Sequence, residues 1–326
     1  MGAAIRSLGA YVPKRRMSNH EFEEFLDTSD EWIQSHTGIK FRHVASADEA
    51  PSDLGFRAAE QALDRAGLSP DQLGMVLVAT ASGDHLGFPS TACIIQDKLG
   101  ARNSAAMDLL VGCTGFVYGL ETAKGLIASG AAEHILLVGS EVLTRIMDWE
   151  DRNTAVLFGD GAGAAVISHS NNGCGILDSF LRSDGSGARA LAREVGGTRS
   201  PFKPGETDHR ELLLKMEGRM VYNFAVQVIV DTVTTILKRN GLTIADIKYI
   251  VPHQANERII EAAARRSRIP RDKFFVNIAE YANTSAATIP IALNDLVERE
   301  LLDKGDLIVT AGFGAGLTFG GNLVRW

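Results

Sequence analysis

The sequence is poor in the residues that staple small or secreted proteins together. Its 326 residues include only three cysteines, Cys93, Cys113 and Cys174, which are too few and too scattered for a disulfide framework or a zinc site. We therefore expect reduced thiols in a cytoplasmic protein that holds no metal. No apolar run follows a basic start at the N-terminus, and no uncharged apolar stretch of about 18 residues occurs. Neither a signal peptide nor a membrane span is expected.

Basic residues are also scarce. The chain has 33 Lys and Arg against 40 Asp and Glu, a formal net charge of -7. A general nucleic-acid binder needs a basic face that releases counterions, so this composition argues against that class. With 45% hydrophobic and 22% charged residues, the chain is typical of a folded protein with a large core.

Short apolar runs alternate with longer segments of helical periodicity, which is typical of α/β architecture. Several of the apolar runs are continuous rather than alternating, which indicates a sheet covered on both faces. The predicted strands are 75–80, 134–140, 154–158, 164–168, 248–252, 274–277 and 306–311. The predicted helices are 53–66, 116–129, 220–240 and 257–267, with Asn19 and Ser29 as N-caps of further helices.

Two similar halves are expected, 1–172 and 173–326. In both, a strand is followed by a glycine-rich segment, 158–163 in the first half and 312–316 in the second. This hints at internal duplication. The segment 184–208 is rich in Gly, Ser, Pro and charge, and we interpret it as a long excursion between the halves.

Cys113 is the cysteine whose setting suggests chemistry. It follows the end of an apolar strand and precedes a helix predicted from about Thr114, with Gly112 and Gly115 close by. A helix N-terminus favours the thiolate, and glycines permit close approach of a substrate. The alternative is a buried structural cysteine, which is the commoner fate of the residue and our interpretation of Cys93 and Cys174.

His253 is the best-placed of eight histidines to assist a thiolate nucleophile. It follows the predicted strand Tyr249-Ile-Val-Pro and precedes a helix, and sites form at the carboxyl ends of strands. A satisfied core histidine remains an open alternative. His85 lies in a loop without a clear partner. The remaining histidines lie in polar stretches and are expected to be solvated: His20, His36, His43, His134, His169 and His209.

Two further loops carry small and polar residues. The segment Tyr281-Ala-Asn283-Thr-Ser places an amide side chain just before a helix, and the glycine-rich segment 312–318 follows a strand. Neither 312–318 nor 159–163 has the G-x-G-x-x-G spacing of a dinucleotide-binding loop. We interpret the former as a backbone oxyanion hole and the latter as a close-packing turn.

Together these loops resemble β-ketoacyl-acyl-carrier-protein synthase III, a family of thiolase-fold condensing enzymes. The resemblance runs essentially end to end and follows the family's order. It is carried by Thr28-Ser-Asp-Glu-Trp-Ile33, Thr37-Gly-Ile-Lys40, Phe88-Pro-Ser90, Gly112-Cys-Thr-Gly-Phe116, Phe158-Gly-Asp-Gly-Ala-Gly163, His253-Gln-Ala-Asn256, Asn283-Thr-Ser-Ala286 and 312–318. It implies a layered α-β-α-β-α fold built from two similar halves.

The resemblance implies a Cys-His-Asn triad of Cys113, His253 and Asn283. Cys113 would attack an acyl-CoA thioester, with the backbone N–H groups of Cys113 and Ala315 holding the oxyanion. Malonyl-acyl-carrier protein would then lose carbon dioxide while His253 and Asn283 hydrogen-bond its thioester oxygen, and the carbanion would attack the acyl group. Acyl-CoA is then a substrate, and no permanently bound cofactor is implied.

A CoA site is implied in the same way. Trp32 and Arg152 match the residues that sandwich the adenine by stacking and cation–π contact. Gly218 and Asn256 match contacts of the pantetheine tunnel. His36 stands where the best-known members have Arg near the CoA phosphates.

A basic run follows His253 in an otherwise acidic chain. Arg258 and Arg265 are seven residues apart on a predicted helix and share a face with each other. Such runs are usually solvated faces, but beside His253 we favour a docking surface for an acidic carrier protein, formed by Arg258, Arg265 and Arg266. By resemblance, Asn223 replaces a basic residue associated with carrier docking.

The family resemblance also implies a homodimer. Phe88, in the apolar segment Leu86-Gly-Phe-Pro, would reach across the interface to the partner's acyl pocket. The alternative for Phe88 is a core aromatic residue on a loop.

Three rival functions remain at this point. One is a thiolase-fold acyltransferase or synthase of secondary metabolism, and another is an HMG-CoA synthase or chalcone-type polyketide synthase. Intact His253 and Asn283 argue for condensation over simple acyl transfer, and the match at 253–256 and 283–286 favours the initiating synthase over the HMG-CoA and chalcone-type enzymes. The third is a non-catalytic acyl-CoA-binding protein, against which the complete triad speaks.

Overall fold

The computed structural model describes residues 2–171 and 173–326. Its strands are β1 (Gly2–Tyr11), β2 (Arg15–Ser18), β3 (Phe41–Val44), β4 (Met75–Ala79), β5 (Ala105–Leu109), β6 (His134–Val142), β7 (Asp160–Ser170), β8 (Gly175–Ser183), β9 (Leu191–Ala192), β10 (Lys215–Met216), β11 (Ile247–Pro252), β12 (Leu307–Gly314) and β13 (Thr318–Arg325). Its α-helices are α1 (Asp30–Thr37), α2 (Pro51–Ala66), α3 (Thr91–Leu99), α4 (Gly115–Ala128), α5 (Arg152–Ala155), α6 (Gly218–Arg239), α7 (Glu257–Ser267), α8 (Ile278–Tyr281) and α9 (Thr288–Glu298).

The first large sheet has the strand order β1-β7-β6-β4-β5. β5, β4 and β6 are parallel, whereas β7 and β1 are antiparallel to their neighbours. Parallel neighbours require crossover connections, and α3 and α4 supply them. β5 is the edge strand of this sheet. The segment that carries Cys113 follows β5 directly along the chain.

The second large sheet repeats this arrangement, with the order β11-β12-β13-β8. β11 and β12 are parallel, and β13 and β8 are antiparallel to their neighbours. Beyond β11, Phe274 forms an isolated parallel bridge with Ile250 and occupies the place that β5 has in the first sheet. The two sheets therefore share one strand order. The predicted division of the halves falls on Asn172, which lies outside the described residues.

Five layers result, as the family resemblance implied. α4 and α9 lie between the sheets in one core that includes Phe116, Leu293, Leu137 and Ile308. α2 and α3 cover the outer face of the first sheet, and α6 and α7 cover that of the second. Because both faces of each sheet are buried, the strands read as continuous apolar runs.

Two predicted strands are wrong. Residues 154–158 overlap the short helix α5, which Asp151 caps by accepting a hydrogen bond from the Asn153 N–H. Residues 274–277 form no strand, since only Phe274 makes a bridge there. Both segments are apolar because they are buried in the core, and burial alone does not distinguish a strand from a short turn.

Two interpretations of loops also need correction. The segment 184–208 follows β8, so it is an excursion within the second half rather than between the halves. The segment 159–163 is not a turn, because 160–163 are the first residues of β7. Its close packing is confirmed, because a Cβ added at Gly163 would lie 2.7 Å from Pro290.

The predicted N-cap Ser29 is confirmed, since its hydroxyl accepts from the Trp32 N–H at 3.1 Å. Asn19 is instead the first residue of a 3-10 helix capped by Ser18. The predicted solvation of His43 is also wrong, because this ring is buried and its Nδ1 contacts the Pro13 carbonyl oxygen at 2.6 Å.

By length and composition alone, α6 is apolar enough to cross a membrane. Core helices of globular proteins meet the same test. Here Val228, Ile229, Val233 and Ile236 pack into the core between α6, α7 and the second sheet. The apolar character of α6 is therefore accounted for by packing within the chain.

Candidate active site

The candidate catalytic side chains meet in one cavity of about 450 Å³. Cys113, His253 and Asn283 all line it, although they come from three separate loops in two different halves of the chain. Trp32, His36, Gly218 and Asn256 line the same cavity. Outside its lining lie the other residues singled out by the sequence: Phe88, Arg152, Arg258, Arg265, Arg266 and Ala315.

Cys113 is held in a 3-10 turn, Gly112–Thr114, that leads directly into α4. Gly112 has φ +52°, a left-handed conformation that favours glycine. The turn also packs closely against the end of β12, because a Cβ added at Gly314 would lie 2.8 Å from the Cys113 nitrogen. The glycines flanking Cys113 thus bring it against 314–315, the segment expected to supply an oxyanion hole.

Burial dominates the pKa of the Cys113 thiol. Burial and, to a lesser extent, the Glu141 carboxylate raise this pKa, the Ser285 hydroxyl and the residue's own backbone lower it, and the net result is a pKa of about 12, which favours the protonated thiol. Desolvation thus opposes the preference for the thiolate that is expected from the helix N-terminus. We therefore expect a base to assist removal of the thiol proton when a substrate binds.

His253 follows β11, and its N–H donates to the Ala311 carbonyl oxygen at 2.8 Å. The ring is buried edge-on against Phe313, with 5.0 Å between ring centroids. Burial lowers its pKa to about 3, so the imidazole is neutral at physiological pH. Its Nδ1 lies 2.7 Å from the Thr288 hydroxyl oxygen, which leaves Nε2 for the cavity. A neutral ring of this kind can accept the proton of Cys113.

Asn283 is oriented by its own loop. Its Oδ1 accepts a hydrogen bond from the Ser285 N–H at 2.8 Å. The carbonyl end of the amide is thereby occupied, and Nδ2 remains as the donor for the cavity. Ser285 has φ +48°, an uncommon conformation for a residue with a Cβ. The turn is thus held in a strained form that points an amide donor at the site.

Glu141 is a buried acid near the site that the sequence analysis missed. Its carboxylate accepts from the Ser82 hydroxyl at 2.5 Å, from the Ala81 N–H at 3.0 Å and from the Ala286 N–H at 3.4 Å. Burial raises its pKa, and these donors together with the Ser285 hydroxyl oppose the rise. Glu141 therefore ties the 80–82 loop to the turn that follows Asn283. The sequence offered one signal for Glu141, namely an acidic residue at the end of an apolar strand. A carboxylate buried there without a hydrogen-bond partner would be costly, so partners are expected.

The proposed adenine residues are adjacent. The Arg152 guanidinium lies 4.7 Å from the centroid of the Trp32 ring. His36 stacks on Trp32 with 4.3 Å between centroids, and its Nδ1 lies 2.7 Å from the Trp32 carbonyl oxygen. His36 therefore supports the Trp32 ring as well as lining the cavity.

The predicted tunnel residues lie at helix starts. Asn256 caps α7 by accepting from the Arg258 N–H at 2.8 Å, and its Nδ2 donates to the His36 carbonyl oxygen at 3.0 Å. Gly218 begins α6, and a Cβ there would meet only the tip of Met216, at 3.9 Å. Asn256 joins the His253 loop to α1 and so to Trp32.

The basic residues of α7 are exposed beside the cavity. Arg258 and Arg265 share a groove with Arg219 and Tyr222 of α6, which confirms that they lie on one face. Arg266 instead contacts the Gln227 side chain. Arg219 lines both this groove and the catalytic cavity, and lies four residues before Asn223 on the same helix. The sequence analysis did not single out Arg219.

Phe88 projects into solvent with 90% of its surface exposed, so the core alternative for this residue is wrong. Leu86 and Leu110 are also strongly exposed, at 76% and 80%.

Among residues 2–171 and 173–326, no group of three or more His, Cys, Asp or Glu side chains is placed to hold a metal ion.

Comparison with known proteins agrees along the whole chain. The family model for 3-oxoacyl-[acyl-carrier-protein (ACP)] synthase III matches residues 107–185, and the model for the C terminal part of that family matches residues 237–326. The β-ketoacyl-[acyl-carrier-protein] synthase III of Caldanaerobacter subterraneus subsp. tengcongensis is 45% identical, with 100% of this chain and 98% of the relative covered.

Solved structures give the same result. The synthase III of Thermus thermophilus superposes with a TM-score of 0.92 at 44% identity, with 99% of each chain covered. The priming β-ketosynthase of the R1128 polyketide biosynthetic pathway superposes with a TM-score of 0.91 at 33% identity, covering 99% of this chain and 96% of the other.

This chain belongs to the 3-oxoacyl-[acyl-carrier-protein] synthase III family. It is a condensing acyltransferase with the thiolase-like fold, and it acts at the start of fatty acid synthesis.

Proposed function

We propose that this synthase moves a short acyl group, acetyl in the simplest case, from acyl-CoA to Cys113 and then condenses it with malonyl-acyl-carrier protein. The products are CoA, carbon dioxide and a 3-oxoacyl-carrier protein. The observation that carries the proposal is the convergence of Cys113, His253 and Asn283 on one cavity.

In the acylation step, the neutral His253 ring accepts the Cys113 proton as the sulfur attacks the thioester carbon. Because the thiol pKa is raised to about 12, this transfer has to accompany attack rather than precede it. The backbone N–H groups of Cys113 and Ala315 hold the oxyanion. The C–S bond to CoA then breaks, and CoA leaves as a thiol with the proton that His253 held.

In the condensation step, the amide Nδ2 of Asn283 and the His253 ring donate to the malonyl thioester oxygen. As carbon dioxide leaves, charge develops on that oxygen, and donors in a buried cavity stabilise it more than water would. The enolate carbon attacks the acyl-Cys113 carbonyl, and Cys113 leaves as a thiolate. One proton from solvent restores the thiol, so charge balances over the cycle.

Acyl-CoA is held by the proposed adenine clamp of Trp32 and Arg152 and by Gly218 and Asn256 along the pantetheine arm, with His36 beside Trp32. The Trp32–Arg152 separation of 4.7 Å is too short to admit an adenine, which needs about 7 Å between flanking layers. CoA binding therefore displaces Arg152, whose guanidinium now donates to the Asp27 carbonyl oxygen at 2.7 Å.

The carrier protein docks on the exposed Arg258, Arg265 and Arg266 of α7. Carrier proteins are acidic, and exposed charges of opposite sign steer such encounters. The enzyme is a cytoplasmic homodimer in which Phe88 completes the partner's acyl pocket. The exposure of Phe88, Leu86 and Leu110 supports that arrangement.

Intact-mass measurement tests the proposal directly. Mixed with acetyl-CoA, the protein is expected to gain one acetyl group on Cys113 and to lose it to product when malonyl-carrier protein is added. A protein that binds CoA esters without gaining mass would be a binder. A protein that is acylated but releases no carbon dioxide from malonyl-carrier protein would be a simple acyltransferase.

Primers of graded length and branching, each offered with malonyl-carrier protein, then define the preferred acyl group. Offering the carrier protein of a polyketide pathway alongside that of fatty acid synthesis distinguishes the second candidate function, suggested by the 33% identical priming ketosynthase.

A further inference from the structure

Thr288 lies directly behind the catalytic histidine. It is buried at the start of α9, and its hydroxyl oxygen is 2.7 Å from His253 Nδ1. The same hydroxyl is 3.0 Å from the Ser285 carbonyl oxygen, to which it can donate. Among the described residues, no acidic side chain bonds the His253 ring, so Thr288 is the group that orients it.

A hydroxyl has one proton, so it can satisfy only one of two patterns. If Thr288 donates to the Ser285 carbonyl, it must accept from His253 Nδ1–H, and Nε2 is then a bare acceptor. If Thr288 donates to Nδ1, the ring proton lies on Nε2, which is then a donor. Because the ring is neutral, the position of this one hydroxyl proton decides which role His253 can take.

The proposed function, on which this inference rests, requires both roles. Nε2 must accept a proton when Cys113 attacks, and it must donate a hydrogen bond when malonyl-carrier protein loses carbon dioxide. A neutral imidazole with one fixed tautomer cannot do both. The fold must therefore allow the ring to change tautomer between the half-reactions.

We propose that Thr288 is a positioning residue that sets which tautomer of His253 is favoured by rotating its hydroxyl between the Ser285 carbonyl and His253 Nδ1. The ring protons themselves exchange with water between the half-reactions: one proton leaves Nδ1, one proton is taken up at Nε2, and the net charge of the ring is unchanged. The rotation is cheap, because the Ser285 carbonyl also accepts the Thr288 backbone N–H and is not orphaned when the hydroxyl turns away. One neutral hydrogen bond replaces another, within the same buried turn.

Protons balance in the acylation half-reaction. With Thr288 donating to Ser285, His253 Nε2 takes the proton from Cys113 while the sulfur–carbon bond forms. The ring is transiently protonated on both nitrogens. It returns the Nε2 proton to the CoA sulfur as that bond breaks, and the Nδ1–H tautomer is restored.

The test compares Thr288→Val, which keeps the branched shape, with Thr288→Ser, which keeps the hydroxyl. In the Val variant, His253 Nδ1 faces a methyl group that can neither accept nor donate a hydrogen bond. A buried N–H without an acceptor costs more than a buried nitrogen without a donor, so the ring should carry its proton on Nε2. Nitrogen-15 NMR of labelled histidine reports the tautomer directly, with His253 assigned by its loss in His253→Ala.

We expect the free wild-type enzyme and Thr288→Ser to show Nδ1–H, and Thr288→Val to show Nε2–H. Single-turnover acylation by acetyl-CoA should fall about 100-fold in Thr288→Val, the scale of a lost general base. Carbon dioxide release from malonyl-carrier protein should fall far less, because Nε2–H is the donor that step uses. Thr288→Ser should stay close to wild type in both.

Thr284→Val is the matched control. Thr284 is also buried in this turn, but its hydroxyl has no hydrogen-bond partner among the described residues. Its loss should change neither tautomer nor rates. Equal losses of both half-reactions in Thr288→Val, or an unchanged tautomer, would overturn the inference. Failure of the wild-type enzyme to acylate would instead overturn the proposed function. The NMR comparison would still show whether the Thr288 hydroxyl sets the tautomer of His253.

Discussion

At the scale of single residues, burial governs the ionisation of the candidate catalytic groups. It raises the pKa of Cys113 and lowers that of His253, which favours the neutral form of both side chains. A buried neutral pair avoids the cost of two desolvated charges.

The first prediction concerns the reactivity of Cys113. Because its pKa is raised to about 12, the thiolate fraction and the rate of alkylation by iodoacetamide should rise about tenfold per pH unit from pH 7 to 11. Glu141→Gln removes a negative charge near the sulfur and should speed alkylation severalfold at fixed pH. Glu133→Gln, at a strongly exposed position, should not.

Peptide mapping measures labelling at Cys113. Cys113→Ser is the negative control, because it lacks the thiol and should show neither labelling at this position nor condensation. A pH-independent rate near neutrality would indicate a standing thiolate instead. A melting curve for Glu141→Gln shows whether any change in rate comes from loss of the fold.

A second prediction separates the half-reactions. Asn283→Ala and His253→Ala each remove a donor from the enolate oxygen and should slow malonyl decarboxylation by about 10²–10³. Asn283→Ala should acylate from acetyl-CoA at close to the normal rate. His253→Ala should acylate slowly as well, because the protonated thiol needs a base.

Single-turnover labelling, run beside release of carbon dioxide, gives both rates for each variant. Near-normal decarboxylation in both variants would remove the enolate role and favour simple acyl transfer. Full acylation by His253→Ala would mean that another group accepts the thiol proton.

At the scale of elements, the site is built where two equivalent helices begin. α4 starts just after Cys113, and α9 starts just after the turn that holds Asn283. Both helices lie in the central layer between sheets that share one strand order. Each half thus contributes one helix start to the cavity, and His253 comes from the loop after β11.

A third prediction concerns α1, the helix that carries Trp32. Trp32→Ala and Arg152→Ala should each weaken acyl-CoA binding by about 1–2 kcal/mol, through loss of a stacking or cation–π contact. The acylation rate at saturating acyl-CoA should change little. Arg57→Ala, on the far side of the first sheet, is the control. Titration calorimetry gives the affinities, and a lower saturated rate at unchanged affinity would place the adenine elsewhere.

A fourth prediction belongs to α7. Reversing Arg258 and Arg265 to Glu should raise KM for malonyl-carrier protein and leave acetyl-CoA acylation unchanged. Added salt should mimic the effect in the wild type, since exposed charges are screened over about 10 Å at 0.1 M salt. Reversal of the exposed Lys14 and Arg57 changes the net charge equally and should have no such effect. Damage to both substrates would indicate a folding defect.

At the scale of the whole molecule, three exposed apolar side chains bear on self-association. Leu86, Phe88 and Leu110 are the most exposed of the large apolar side chains among the described residues. β5, the edge strand, ends one residue before Leu110. A second copy of the chain covering this edge would bury these side chains and protect the strand.

The fifth prediction follows from that geometry. Phe88→Ala should weaken self-association in sedimentation velocity and lower acylation of Cys113 in parallel, because the partner's pocket loses a wall. Phe202→Ala, which truncates a phenylalanine that is half-exposed, is the control. A wild-type enzyme that is an active monomer at assay concentration would refute the shared pocket.

Sequence determined the local parts of this protein. The helices predicted at 53–66, 116–129, 220–240 and 257–267 lie within two residues of those observed, because apolar periodicity reports which face is buried. Motifs were sufficient to name Cys113, His253 and Asn283, since each lies in a short segment of small and polar residues at the end of an element. The five-layered fold came from the same motifs, through the family resemblance.

Tertiary structure decided what depends on contacts between distant segments. It raised the pKa of the Cys113 thiol, because desolvation is a property of the whole surrounding core and not of a helix start. It placed Glu141 and Thr288 behind the site through partners as far as 145 residues away along the chain. It also turned 154–158 and 274–277 from expected strands into a helix and a bridge, since only neighbouring strands supply the hydrogen bonds that make an apolar run a strand.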